Sequence, residues 1–309
     1  MQTRPAAKPH FLVRRAQLLH RRASRLHSSV RALLWSVTAG LLFVVLNSFM
    51  RGLALQLDPF QVQFLRYLMG VLVMLPFMLR AGLGRFRPRS IGGQFVRGAL
   101  HTGGLALWFL AIPHITLADT TAIAFTTPIF IMLGAVLLFK EAMRWERWVA
   151  AAIGFAGVLI VVAPKLTGQA GLYSLVMLAS APVFAASFLV TKALTRYERP
   201  EVIVAWQAIS VTACSLPMAL LHWAMPAPGQ WLVFAFCGLL GSCAHYCLTR
   251  SYAAADISAT QSVKFLDLVW ATLIGWVAFG DAPSRSTLVG GAVISASTLW
   301  IARREARGR

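Results

Sequence analysis

FTTPIFIMLGAVLLFKEA, residues 125–142, and FLDLVWATLIGWVAFGDA, residues 265–282, stand 140 positions apart and read as two copies of one segment. Phe125 falls on Phe265, Leu133 on Leu273, Phe139 on Phe279, Glu141 on Asp281 and Ala142 on Ala282. A shift of 141 carries the register through the earlier sequence, placing Arg51 on Lys192, Pro59 on Pro200 and Pro76 on Pro217, the last within MLPFML against SLPMAL. Two offsets that differ by one residue across half the chain mark an internal duplication.

Around these copies the 309 residues are 58% hydrophobic and 13% charged, about half the charge of an ordinary soluble domain. A water-soluble chain of this length has too much surface to hide so many apolar side chains. Apolar blocks of membrane-spanning length run over 32–55, 60–79, 94–112, 117–139, 148–163, 172–191, 202–223, 231–249, 257–279 and 286–302. Turn chemistry separates them: Asp58-Pro59, Ile112-Pro113, Arg199-Pro200 and the segments 82–88, 226–229 and 281–283. The reading is an all-α integral membrane fold of ten transmembrane helices, divided into a basic tail (1–31), a first repeat (32–164), a second repeat (171–302) and a short basic tail (303–309). Five helices per repeat is odd, so the second repeat enters the membrane inverted, the architecture of secondary transporters that bind substrate where the halves meet.

Lys and Arg total 29 against 10 Asp and Glu, a net charge of +19. Nucleic acid binding needs that charge on a folded soluble face, whereas here it sits between apolar blocks. With the N-terminus inside, 24 of the 29 basic residues fall on the inner side and only Arg51, Lys165 and Arg285 on the outer. That imbalance places both termini in the cytoplasm, in the cytoplasmic membrane. The tail 1–31 alternates leucines with arginines, and reads either as a helix on the anionic inner leaflet or as a topology-setting tail. A secretory signal would carry a shorter apolar run than the block from Ala32, while an organellar transit peptide has a composition like this tail. The four cysteines lie inside apolar stretches, and Cys243, Cys247 and His245 lack further ligands at a metal-site spacing, so they read as packing residues.

The stretch from Trp108 to Pro164, WFLAIPHITLADTTAIAFTTPIFIMLGAVLLFKEAMRWERWVAAAIGFAGVLIVVAP, resembles the helix 3 to helix 5 region of EamA-type members of the drug/metabolite transporter superfamily. The second half repeats it more weakly from Tyr252 to Ile301, and FMRGLALQLDPFQVQFLRY from Phe49 resembles the family's junction of helices 1 and 2. Lys140 stands where the first repeat of the family usually has Gly, and Asp281 replaces the second Glu. The resemblance implies a cavity formed mainly by helices 3, 4, 8 and 9, with 1 and 6 alongside. It also implies transport of small organic metabolites or drugs. Export is the commoner activity of relatives, and uptake of riboflavin or S-adenosylmethionine is the alternative.

An ionisable side chain within a span is expensive and marks a functional candidate. Lys264 and Asp267 lie roughly 10 and 15 Å along their block and share a helix face, as a substrate or proton-coupling site or as a neutralised pair. Thr127 is the 140-shift counterpart of Asp267. Beside it stand Thr126 and Pro128, where proline frees a backbone carbonyl; the alternative is an ordinary kink. His101 and His245 titrate near neutrality or simply pack. Trp108 and Tyr246 either wall the cavity or anchor at the interface, and Asn47 either meets substrate or holds helices together. Arg66 reads as a snorkelling or paired residue or, alternatively, as a substrate ligand, and Asp119 is its possible partner or simply faces water.

No G-x-x-x-x-G-K-[ST] phosphate loop is present, so an ion gradient or the substrate's own gradient is the expected driving force and no cofactor is expected. Scattered acids speak against a membrane-embedded enzyme, which would cluster them for magnesium. Nothing points to the pore ring of a channel.

Overall fold

A computed structural model describes residues 27–111, 114, 123–142, 144–162, 171–279 and 283–307. Most of the basic tail 1–31, together with Asp119, Lys165 and Asp281, lies outside the described residues.

Among the described residues ten helices correspond to the ten apolar blocks: α1 (Ser28–Ala54), α2 (Pro59–Ala81), α3 (Ile91–Ala111), α4 (Thr127–Phe139), α5 (Trp145–Val162), α6 (Leu172–Leu194), α7 (Pro200–Ala219), α8 (Pro228–Ala254), α9 and α10 (Arg285–Arg307). Helix α9 runs in three pieces, Ile257–Gln261, a 3-10 turn at Ser262–Phe265, and Leu266–Phe279. Helix α10 continues through Arg307, so most of the short basic tail is helical. The prolines of the duplication set equivalent boundaries. Pro59 and Pro200 occupy the first turns of α2 and α7, where a missing N–H costs nothing, and Pro76 and Pro217 lie inside the same two helices. Asp58 completes the start of α2 by accepting from the backbone N–H groups of Phe60 and Gln61 at 2.9 and 3.3 Å.

Packing follows the duplication. Helix α1 lies on α8 and α6 on α3; α4 meets α6 and α9 meets α1; α2 packs on α7 and α5 on α10. The α5–α10 contact shows the exchange residue by residue. Ser297 Oγ donates to the Ala150 carbonyl at 2.8 Å, and Gly157 packs against Gly290 so closely that a Cβ on either would overlap the other's carbonyl. A shift of 140 turns Ala150 into Gly290 and Gly157 into Ser297, so one contact maps onto the other, as a two-fold relation between repeats requires. Phe125 and Phe265, equivalent under the same shift, stack on each other with ring centroids 5.7 Å apart.

Polarity runs opposite to that of a water-soluble protein. Gln61, Gln63, Gln94, Arg97, His101, Gln207 and His245 are buried, while Leu137 is 76% and Val277 83% exposed. Apolar side chains face outward because lipid is the solvent there, and polar ones gather where neighbouring helices satisfy them. Among the described residues five helices, α1, α2, α6, α7 and α8, are long and apolar enough to cross a bilayer on their own. The others carry buried polar residues (α3), charged ends (α5 and α10), an interruption (α9) or a described length of 13 residues (α4).

Candidate functional site

Where α2, α3, α7 and α8 converge, a polar cluster is sealed among apolar walls. The Tyr67 hydroxyl stands 2.8 Å from His101 Nε2 and 3.3 Å from His245 Nε2, joining histidines from the two repeats. Gln207 Nε2 approaches His245 Nε2 at 3.4 Å. Below them Arg97, 1% exposed, donates from Nε to Thr191 Oγ1, from one terminal nitrogen to the Ile203 carbonyl at 3.0 Å and from the other to Gln207 Oε1. Arg66 is 8% exposed, with its guanidinium carbon 4.3 Å above the Tyr67 ring. Arg66, Tyr67, Gln207, Ser242 and His245 line a small cavity between α2, α7 and α8.

A second centre lies on α9. Lys264 sits in the 3-10 turn and Asp267 in the first turn after it, where a carboxylate complements the helix N-terminus. Their charged atoms are 3.8 Å apart, with side chains 16% and 28% exposed. Gly40 on α1 packs directly on the Asp267 carboxylate, in space a Cβ would fill. Phe43, one turn along α1, bridges the two centres: Lys264 Nζ is 5.5 Å from its ring centroid, and His245 meets its edge at 4.9 Å.

The sequence-derived candidates divide accordingly. Lys264 and Asp267 form the expected pair, and His101 and His245 are brought together with ring centroids 5.6 Å apart. Asn47 is exposed on the α1 face that carries Gly40 and Phe43. Trp108 is half-buried on the His101 side of α3, about 10 Å further along the helix, with its ring edge-on to Phe109. Thr126 ends the turn that precedes α4, and its hydroxyl donates to the Ile123 carbonyl at 2.6 Å; half-buried Thr127 opens the helix. Tyr246 stands apart from the histidines: its hydroxyl donates to Glu201 at 3.3 Å, and its ring meets Trp35 and Arg250.

Arg97 lies within α3, buried, with its guanidinium satisfied by three acceptors on α6 and α7. Tyr67 and Gln207 were not singled out by sequence. One signal was available: the 141 shift that pairs Pro59 with Pro200 also pairs Arg66 with Gln207, two equivalent positions that line the same cavity. All four cysteines are free, with Cys237 and Cys247 buried and Cys243 exposed. Among the described residues no cluster of three His, Cys, Asp or Glu could hold a metal.

Helices packed around buried polar groups with apolar flanks facing outward, one of them interrupted by a 3-10 turn, define a multi-pass membrane protein of the transporter class. The EamA-like transporter family pattern matches residues 30–163 and again 171–303, and the chain belongs to that family. A riboflavin transporter of Rhizobium johnstonii is 35% identical over 277 residues, covering 89% of this chain and 91% of its own. An S-adenosylmethionine uptake transporter of Rickettsia prowazekii is 26% identical over 249 residues (81% and 84%), and a pseudopaline exporter of Pseudomonas aeruginosa 26% over 274 residues (87% and 95%). A solved crystal structure aligns with a TM-score of 0.76 over 88% of this chain and 98% of that chain at 23% identity, a likeness of fold.

Proposed function

We propose that the protein is a secondary transporter of the cytoplasmic membrane, with both termini cytoplasmic and its two repeats inverted, that moves a small organic metabolite bearing a planar heteroaromatic ring. The observation that carries this reading is the run of rings and polar groups from Asp267 and Lys264 through Phe43, His245 and Tyr67 to His101, which crosses from one repeat to the other. Ring faces stack on flat substrates and on cations, and the convergent polar groups fix orientation. The turn before α4 and the 3-10 turn of α9 supply hinges, so that rocking of one repeat against the other exposes the run to each side in turn. Lys264 and Asp267 meet the charged or zwitterionic part of the substrate; Thr127, Asn47 and Trp108 stand on the approaches.

Purified protein in sealed vesicles, with no ATP and no partner, is expected to carry riboflavin down its gradient. Relatives are named for uptake and for export, so flux is read with the flavin loaded on either side. A strict requirement for ATP in otherwise competent vesicles would overturn secondary transport, and an inert flavin alongside flux of a non-aromatic metabolite would overturn the ring reading. Topology is checked by cysteines introduced at Ile115, Gly168 and Pro228, which should label from outside in intact cells. Labelling only after permeabilisation would reverse the orientation.

A further inference from the structure

Among the described residues Arg97 directs every hydrogen bond it makes to a neutral acceptor, and Arg66 Nε finds no partner. Neither guanidinium has a carboxylate within ion-pair distance among the described residues. Asp256 and Glu305 serve Arg147, Asp267 faces Lys264, and Glu141, Glu198 and Asp58 hold backbone N–H groups at helix ends. Two buried cations with no counter-charge are costly in a low-dielectric interior.

Donors in excess tell the same story. Arginine can only donate, so Gln207 turns its carbonyl oxygen to Arg97 and its NH2 to His245. His245 Nε2 then accepts, which puts the proton of the neutral imidazole on Nδ1, a buried atom that finds no acceptor among the described residues. Arg66 and His245 both line the cavity, each with a nitrogen that is buried and unsatisfied. Gly241 makes the room: a Cβ there would stand 2.7 Å from a terminal nitrogen of Arg66. The guanidinium lies between α8 and the Tyr67 ring.

The geometry points to a subsite in this cavity for an anionic group, a carboxylate or a phosphate, carried by the transported molecule and paired with Arg66. Gln207, Ser242 and His245 are its polar walls, and Arg97 is a positioning residue that acts through Gln207. One anionic group supplies both the missing charge and the missing acceptors, and charge-assisted bonds to guanidinium are among the strongest available. This inference rests on the transport reading above and adds the charge of the substrate to it.

Fluorescence titration of the full-length protein in nanodiscs tests it, with riboflavin as the neutral probe, flavin mononucleotide carrying a phosphate and 10-carboxymethylflavin carrying a carboxylate. At least one charged flavin should bind tenfold or more tighter than riboflavin. If both do, the site reads anionic charge in general; if one does, that group is the one selected. Arg66→Gln should bring the charged flavins within threefold of riboflavin. Gly241→Ala, which keeps the arginine but crowds its guanidinium, should weaken the preference and guards against a misfolded Arg66 variant. Equal binding of charged and neutral flavins overturns the subsite and leaves the transport reading standing. If no flavin binds, the ring reading falls and thermal unfolding decides the subsite: acetate or orthophosphate at constant ionic strength should raise the wild-type midpoint and not that of Arg66→Gln. The same response in both, or none in either, overturns it. Asp119→Asn should leave the anion preference intact; its loss would assign Arg66 to that carboxylate and overturn the site.

Discussion

At the end of the bundle where α10 finishes, Arg147 lies among acids. Its Nε donates to Glu305 at 2.9 Å, and a terminal nitrogen reaches Asp256 at 3.1 Å and Ser258 Oγ at 2.8 Å, while Arg144 approaches Glu305 from outside at 3.4 Å. At the α2–α3–α7–α8 crossing, Arg66 and Arg97 are as deeply buried and touch no described acid. The first cluster is complete in the protein alone and ties α5, the α8–α9 junction and α10 together. The second is complete only when something else supplies charge. Matched charges make a joint, and unmatched ones make a place for a ligand.

Breaking the joint should have the largest effect. Glu305→Gln leaves the buried Arg147 with the half-exposed Asp256 as its remaining charge partner, and removing one member of a buried ion pair costs about 3–5 kcal/mol. The thermal unfolding midpoint in nanodiscs should fall steeply, and the double change Arg147→Met with Glu305→Leu should recover more than half of the loss, since it strands no charge. An unchanged midpoint in Glu305→Gln would mean the Arg147 cluster is not a matched joint, and the contrast with the α2–α3–α7–α8 crossing would lose its basis.

Between these extremes stand Lys264 and Asp267, paired at 3.8 Å but partly exposed, so solvent and substrate can both reach them. Lys264→Met and Asp267→Asn should each cut vesicle flux roughly tenfold or more, about 1.4 kcal/mol, with the protein still inserted and folded. The double substitution separates the readings. Near-native flux in the double variant would class the pair with the Arg147 joint, as mutual neutralisation, and remove it from the site.

What could be read from sequence follows from how each residue signals. The ten spans and their duplication were legible because lipid demands long apolar blocks and because matching prolines and aromatics recur at one offset. Lys264, Asp267, His101 and His245 stood out as ionisable groups inside such blocks. Arg97 also lies inside a block, but composition says how polar a segment end is and not which way a side chain points. Tyr67 and Gln207 gain meaning only from contacts between helices far apart in sequence. The 3-10 turn that presents Lys264 left no local mark either: Ser262, Val263 and Phe265 carry no proline or glycine, and the break is imposed by the packing of Phe265 against α5, where Gly154 leaves room for its ring.

The smallest expected effect comes from an acid at the joint that pairs with no arginine. Glu141 accepts from the backbone N–H groups of Ile257 and Ser258 at 2.9 and 3.1 Å and from Ser258 Oγ at 2.6 Å, capping the first piece of α9 from the α4–α5 link. A carboxylate suits that position twice, since both of its oxygens accept and its charge opposes the positive end of the helix dipole. Glu141→Gln keeps one acceptor but turns an amide NH2 toward groups that also donate, so the loss should be about 1–2 kcal/mol. Because the first piece of α9 has only five residues, fraying at its start should reach the 3-10 turn and lower flux by a few fold without abolishing it. Hydrogen exchange should show faster opening at residues 257–261 in this variant and unchanged protection in α7. Loss as large as that of Glu305→Gln would mean Glu141 is a counter-ion of the Arg147 joint instead of a cap, since a cap contributes hydrogen bonds and dipole alone whereas a counter-ion leaves a stranded charge behind.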